Sequence, residues 1–197
     1  IDIGNTRTKL AFFESSKLMH EQVIDNENQW QALIKSFKPS YAVMSAVGAG
    51  ADAVSAILDV SKVSLLQVNY KTPFPFAIDY NTPQTLGMDR VAAVAAAQFL
   101  YPNINCLVID AGTCITYDFI SASNQYQGGA IAPGMHMRLQ AMHEFTHKLP
   151  LPDLSWPEDF EGKSTEQSLL SGVCISVADE INGRIILFHE HGEQEIA

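Results

Sequence analysis

The chain has 197 residues, 47% of them hydrophobic, with a net charge of −10 and a pI near 4.9. That length is one large domain or two small ones around a cleft, with apolar residues enough for a substantial core. No apolar run reaches the roughly 18 residues of a membrane helix, no basic patch offers a surface to nucleic acid, and no charged-then-apolar opening reads as a secretory signal.

The chain opens without Met on what reads as the inside of a strand, so residues are expected before Ile1, and residues 190–197 read as a second truncation point. Cys106, Cys114 and Cys174 are odd in number and far apart, which argues against a disulfide framework or a Cys-x-x-Cys zinc site. A reducing compartment, the cytoplasm, is expected.

In chain order, residues 1–4, 9–14 and 19–24 read as short strands separated by turns. Asp25 or Asn26 is placed to cap a helix. In that helix Trp30, Leu33, Ile34 and Phe37 recur at i, i+3, i+4 and i+7 and share one apolar face. Lys38-Pro39 ends it, because the residue before proline disfavours helical backbone. Residues 41–47 read as a buried strand. Val54, Ile57 and Leu58 mark a short helix after Gly48-Ala49-Gly50, and residues 63–70 form another strand. Alternation of this kind is an α/β pattern.

Residues 71–86, with Pro73, Pro75 and Pro83, read as a connecting loop. Gly87-Met88-Asp89-Arg90 then opens a helix rich in alanine, the strongest helix former. Residues 105–110, 115–120 and 127–132 are predicted strands. Pro133-Gly134 leads into a helix carrying Met137, Ala141 and Phe145, which Leu149-Pro150-Leu151-Pro152 ends. A last long helix starts near Ser164-Thr165 and carries Leu169, Val173, Ile175 and Val177.

Two strand ends carry the same turn. Asp2-Ile3-Gly4-Asn5-Thr6 leads into residues 9–14, and Asp110-Ala111-Gly112-Thr113 leads into residues 115–120. A carboxylate at a strand end can hold a hydrated cation, and glycine lets backbone approach a ligand closely. Successive backbone N–H groups with a threonine hydroxyl make a hollow for an anion. Two such turns facing each other would grip a polyphosphate and its metal. Positive groups near glycine-containing segments are Arg7, Lys9, Arg90 and Lys163. Each one alone reads as a solvated surface charge. The second half repeats the first by topology, so two lobes are expected, at residues 1–86 and 87–197.

These residues resemble the actin-like ATPase and sugar-kinase superfamily and, more narrowly, the type III pantothenate kinases. The resemblance rests on five segments in order: Asp2-Ile3-Gly4-Asn5-Thr6, Leu86-Gly87-Met88-Asp89-Arg90, Asp110-Ala111-Gly112-Thr113, Gly128-Gly129-Ala130-Ile131-Ala132-Pro133-Gly134, and Gly162-Lys163-Ser164-Thr165 with Ser171-Gly172. The chain departs from the family at Ala111, where Phe is usual, and lacks the family's late Thr-Gly-Gly segment. The resemblance implies a duplicated ribonuclease H-like fold in two lobes, each a mixed sheet flanked by helices. It implies phosphorylation of pantothenate by ATP to 4′-phosphopantothenate, the first step of coenzyme A synthesis. A homodimer needing Mg²⁺ and a monovalent cation, K⁺ or NH₄⁺, is expected, with the substrate pocket at or near the dimer interface.

The expected roles follow residue by residue. Asp2 organises Mg²⁺, through water because that ion dehydrates reluctantly. Gly4, Asn5, Thr6, Arg7 and Lys9 donate to the phosphates, and on its own this segment reads as an ordinary β-turn. Asp89 is the general base for the substrate hydroxyl; alone it is a helix N-terminal acid. Arg90 suits a carboxylate through its paired donors, and its plain alternative is a salt bridge. The resemblance extends the substrate contacts to Tyr80, Gly87, Met88 and Thr165, the last reaching from the partner subunit. It gives Asp110 the monovalent cation and Thr113 a phosphate. Thr165 also suits a helix N-cap. Gly128, Gly129 and Gly134 are expected to shape backbone.

One motif points elsewhere. His143-Glu144-Phe145-Thr146-His147 fits His-Glu-x-x-His, the zinc metalloprotease signature, which needs both histidines on one helix face. Pro150 would cut such a helix short, and a third ligand would have to come from Glu161, Glu166 or His189. A further alternative is a non-catalytic actin-like nucleotide-binding regulator, against which the pairing of Asp89 with Arg90 argues.

Overall fold

The computed structural model describes residues 1–4, 8–24, 26–46 and 50–192. It divides into two compact units, Ile1–Phe74 with Asn81–Ala92, and Pro75–Tyr80 with Ala93–Ala197.

The first unit holds strands β1 (Asp2–Ile3), β2 (Thr8–Glu14) and β3 (Lys17–Ile24), helix α1 (Glu27–Phe37), β4 (Tyr41–Ala46), helix α2 (Ala51–Val60) and β5 (Ser64–Gln67). The sheet order is β3-β2-β1-β4-β5. β1, β2 and β3 run antiparallel, while β4 and β5 lie parallel to β1, so the sheet is mixed. Strand side chains alternate between faces. Leu10 and Phe12 of β2 are buried, whereas Lys9, Ala11 and Phe13 are exposed. The buried face meets Trp30 and Ile34 of α1 and Val54 and Leu58 of α2. Each such side chain contributes roughly 1.5–3 kcal/mol when fully removed from water.

Asn26 caps α1, accepting the Gln29 backbone N–H at 3.2 Å; Asp25, the other expected cap, lies outside the described residues. Lys38, at φ 48°, closes α1 in the left-handed conformation, its N–H returning to the Ile34 carbonyl at 2.8 Å. β5 stops at Gln67, short of its expected end. Asn69 then folds the chain back, its side chain accepting the Lys71 N–H at 2.9 Å, a local bond that competes with strand pairing.

The second unit holds β6 (Ala77–Ile78), β7 (Cys106–Ala111), β8 (Cys114–Ile120), β9 (Gln125–Pro133) and helices α4 (Met135–Glu144) and α5 (Thr165–Gly192). Helix α3 (Met88–Leu100) begins in the first unit's residues and ends in the second's. The sheet order is β6-β9-β8-β7, with β6 parallel to β9 and the rest antiparallel. Ile115 and Tyr117 of β8 pack with Met135 of α4 and with Val177 and Ile181 of α5. Each unit is thus a mixed sheet flanked by helices, as the expected duplicated fold requires, and the β1-β2-β3 meander recurs as β7-β8-β9.

β6 falls inside the segment expected to be loop. It is two residues long, follows Pro73 and Pro75 in sequence and, among the described residues, pairs on one side only, with β9. Phe145, expected on the face of α4, is its C-cap and is exposed. Among the described residues no helix is long and apolar enough to cross a membrane.

Candidate active site

Asp2 is half-buried on β1, in register with Lys9 of β2 and Ser45 of β4. In-register neighbours share a sheet face, and this face is opposite the one that buries Ile3 and Leu10. Gly4 follows directly. Asn5, Thr6 and Arg7, the expected phosphate donors of this turn, lie outside the described residues. Among the described residues the Ser45 hydroxyl is buried without a hydrogen-bond partner. A buried hydroxyl without a partner is costly, about 1–3 kcal/mol, and this one is in register beside Asp2.

Gly87, Met88, Asp89 and Arg90 form the first turn of α3. A Cβ at Gly87 would stand 2.3 Å from Asp89 Oδ1, so glycine here makes room for that carboxylate. Asp89 is exposed, and its Oδ1 accepts the Arg90 backbone N–H at 2.9 Å. Arg90 is only 6% exposed, and Met88, two residues before it, is buried as well. An exposed acidic residue is therefore followed directly in sequence by a buried arginine on one helix turn.

The second turn joins β7 to β8. Asp110, exposed near the end of β7, is in register with Thr116, and Gly112 and exposed Thr113 follow. The N-terminus of α4 comes down on this turn: Gly134 N–H donates to the Thr113 carbonyl at 3.0 Å. A Cβ at Gly134 would lie 2.3 Å from the Gly112 oxygen and 2.5 Å from the Thr113 oxygen. Only glycine permits this approach, which lays the positive end of a helix dipole against the turn. Gly129 is equally constrained, since a Cβ there would meet the Tyr117 carbonyl at 1.7 Å.

α4 and α5 are tied to β8 by a polar chain. Tyr117 Oη donates to Glu180 Oε1 at 2.9 Å, and Arg138 donates to Glu180 Oε2 and, through Nε, to the Pro133 carbonyl at 2.8 Å. The Arg138 guanidinium holds the Glu180 carboxyl below its usual range, while burial and the Glu180 hydrogen bond push the Tyr117 phenol up to about 12.

Tyr80 follows β6 and is half-buried, its ring near-parallel to that of Tyr126. Thr165 is exposed at the first position of α5 and, with Arg138, Met142, Ser168 and Ser176, lines a cavity of about 430 Å³. The N-cap is not Thr165 but Ser164, whose hydroxyl accepts the Gln167 N–H at 3.2 Å; the Gln167 side chain in turn accepts the Lys163 N–H at 2.9 Å.

The zinc-protease geometry does not form. α4 ends at Glu144 and the chain turns away, so His147 leaves the helix face that carries His143. His143 instead lies 2.7 Å from the Leu149 carbonyl through Nδ1. Among the described residues no group of three or more His, Cys, Asp or Glu could hold a metal. Single carboxylates such as Asp2 fit a different regime, that of Mg²⁺, which keeps most of its waters and takes its remaining ligands from phosphate.

A family model described as type III pantothenate kinase matches residues 1–186. The chain belongs to the type III pantothenate kinases. Members of the family from Flavobacterium psychrophilum and Bacteroides fragilis are 40% and 41% identical to it, over 94% of this chain and 78% and 77% of theirs. One from Porphyromonas gingivalis is 39% identical over 96% of this chain and 79% of its own. A solved structure from Campylobacter jejuni, named as a conserved Baf family transcriptional activator, shares the fold with a TM-score of 0.56 at 24% identity, covering 92% of this chain and 76% of that one.

Sequence reasoning overlooked Ser45, Asp118, Tyr126, Arg138 and Glu180. Tyr126 stands two residues before Gly128-Gly129, inside a family segment, and was open to notice there. Arg138 and Glu180 are 42 residues apart, and no local spacing announces them.

Proposed function

We propose that this protein phosphorylates pantothenate with ATP, giving 4′-phosphopantothenate and ADP, the opening step of coenzyme A synthesis. The observation that carries the reading is the first turn of α3, where exposed Asp89 adjoins buried Arg90 within the matched family. Asp89 takes the proton of the primary hydroxyl as its oxygen attacks the γ-phosphorus; the new O–P bond forms while the bond to the β-phosphate oxygen breaks. Arg90 offers paired donors to the substrate carboxylate. The turn at Asp2 and Gly4, with Lys9, and the turn at Asp110 and Thr113 are the phosphate-binding elements. Asp2, with the Ser45 hydroxyl beside it, is the anchor for hydrated Mg²⁺, and Asp110 for K⁺ or NH₄⁺. Bound Mg²⁺ supplies charge neutralisation on the β- and γ-phosphates. A cytoplasmic homodimer to which Thr165 contributes across the interface completes the reading.

A coupled assay with pantothenate, ATP, Mg²⁺ and K⁺, beside a control without pantothenate, tests it. Turnover requires pantothenate. Asp89→Asn lowers kcat by about a hundredfold or more, with both substrates still bound. Full activity in that variant removes Asp89 from the mechanism. Absence of turnover in the unaltered protein, with nucleotide still bound, leaves the regulator in its place.

A further inference from the structure

We propose that Tyr126, anchored by Asp118, is a buried platform that fixes the position of Tyr80 and thereby sets the affinity for pantothenate without entering the chemistry. The inference rests on the reading that Tyr80 touches pantothenate.

Both platform residues are 0% exposed. A buried hydroxyl and a buried carboxylate are each costly unless paired, and here Tyr126 Oη donates to Asp118 Oδ1 at 2.6 Å. The bond depends on an irregularity in the sheet. Asp118 stands opposite Gly129, but the β8–β9 register then shifts, so that Ile120 stands opposite Tyr126. The Tyr126 ring is thus held at its hydroxyl end by a residue of the neighbouring strand.

Tyr80 leans on this ring. The two ring centroids are 6.5 Å apart with 13° between planes. The main chain is pinned alongside, with Ala77 N–H donating to the Asn124 carbonyl at 3.0 Å and Asp79 N–H to the Tyr126 carbonyl at 2.9 Å. Gly128 supplies a second wall. Its φ is +84°, which L side chains rarely adopt, and a Cβ there would stand 3.3 Å from Tyr80 Cδ2. Tyr80 therefore meets an aromatic ring and bare backbone while remaining half-exposed. A side chain held in place before the ligand arrives loses less freedom on binding. Tyr126 is accordingly a positioning residue for pantothenate.

The test is steady-state kinetics on the full-length protein, with pantothenate and ATP varied separately, for Tyr80→Leu, Tyr126→Phe, Gly128→Ala and the double variant Tyr80→Leu/Tyr126→Phe. Tyr80→Leu raises the pantothenate KM about tenfold. Tyr126→Phe, which deletes only the hydroxyl, raises it about three- to tenfold, the worth of one hydrogen bond, with kcat and the ATP KM unchanged. Gly128→Ala moves the same constant, and it decides the matter should Tyr126→Phe fail to fold. The double variant is no worse than Tyr80→Leu alone, because Tyr126 acts through Tyr80. An unchanged pantothenate KM in Tyr126→Phe and Gly128→Ala, with Tyr80→Leu impaired, overturns the platform and leaves the Tyr80 contact standing. A pantothenate KM untouched by Tyr80→Leu removes the contact itself, and the platform with it. Equal damage to kcat and both KM values in Tyr126→Phe overturns the platform in favour of plain structural support.

Discussion

The two Asp-x-Gly turns share a motif but not a setting. Asp2 sits on an interior strand, flanked in register by Lys9 and Ser45, half-buried beside a hydroxyl that has no partner among the described residues. Asp110 is exposed on β7, which among the described residues pairs on one side only, with β8. The first setting is crowded and suits an ordered, hydrated divalent ion. The second is open and suits a weakly held, exchangeable monovalent one. The backing differs in the opposite sense. The second turn is clamped by α4 through Gly134 and the Tyr117–Glu180–Arg138 chain. The proposed function thus gives one motif two tasks, assigned by its neighbours rather than by its own residues.

The sharpest way to break this contrast is to neutralise each carboxylate. Asp2→Asn is expected to cut kcat/KM for MgATP by about a hundredfold or more, several kcal/mol of lost charge stabilisation. Asp110→Asn is expected to cost about tenfold and to flatten the response to replacing K⁺ by Na⁺. Equal losses in both, with K⁺ dependence intact in Asp110→Asn, would erase the division of labour.

Gly134→Ala probes the clamp. The added methyl meets two carbonyl oxygens, and an overpacking cost of about 1–3 kcal/mol is expected in denaturant unfolding. An unshifted midpoint would show that α4 can stand off the turn.

Glu180→Gln probes the same clamp by pH. The Arg138 bond depresses the Glu180 carboxyl, so its contribution is fully present above the ordinary value of 4.5 and is lost as pH falls through the lowered one. The variant is expected to lose about 1 kcal/mol at neutral pH, a modest figure because the pair is partly exposed. The two stability curves should converge in acid, and a gap that persists there would contradict the assignment. Ser45→Ala is the mildest change. Deleting an orphaned hydroxyl should leave the ligand-free protein equally stable or slightly more so, and a lowered Tm would mean that the hydroxyl already has a partner.

Much of this was legible in the sequence. The apolar stripe of α1, the alanine-rich α3 and the meander after each acidic turn follow from period and propensity, because the same residues that bury the face also favour the element. The family segments gave the candidate residues. What stayed hidden depends on distant pairing. β6 is too short to show a period. The Tyr126–Asp118 bond exists only because the β8–β9 register shifts. The His143-to-His147 spacing has helical period, yet the backbone leaves the helix at Phe145 and the period loses its meaning.

The contact at Gly134 has a mechanical consequence. With no methyl-sized gap between the start of α4 and the carbonyls of Gly112 and Thr113, helix and turn are geared together. Displacement of that turn is expected to move α4 and, with it, the exposed Phe145 at its far end. An environment-sensitive dye placed there would report events at the turn from about 15 Å away, the length of a ten-residue helix.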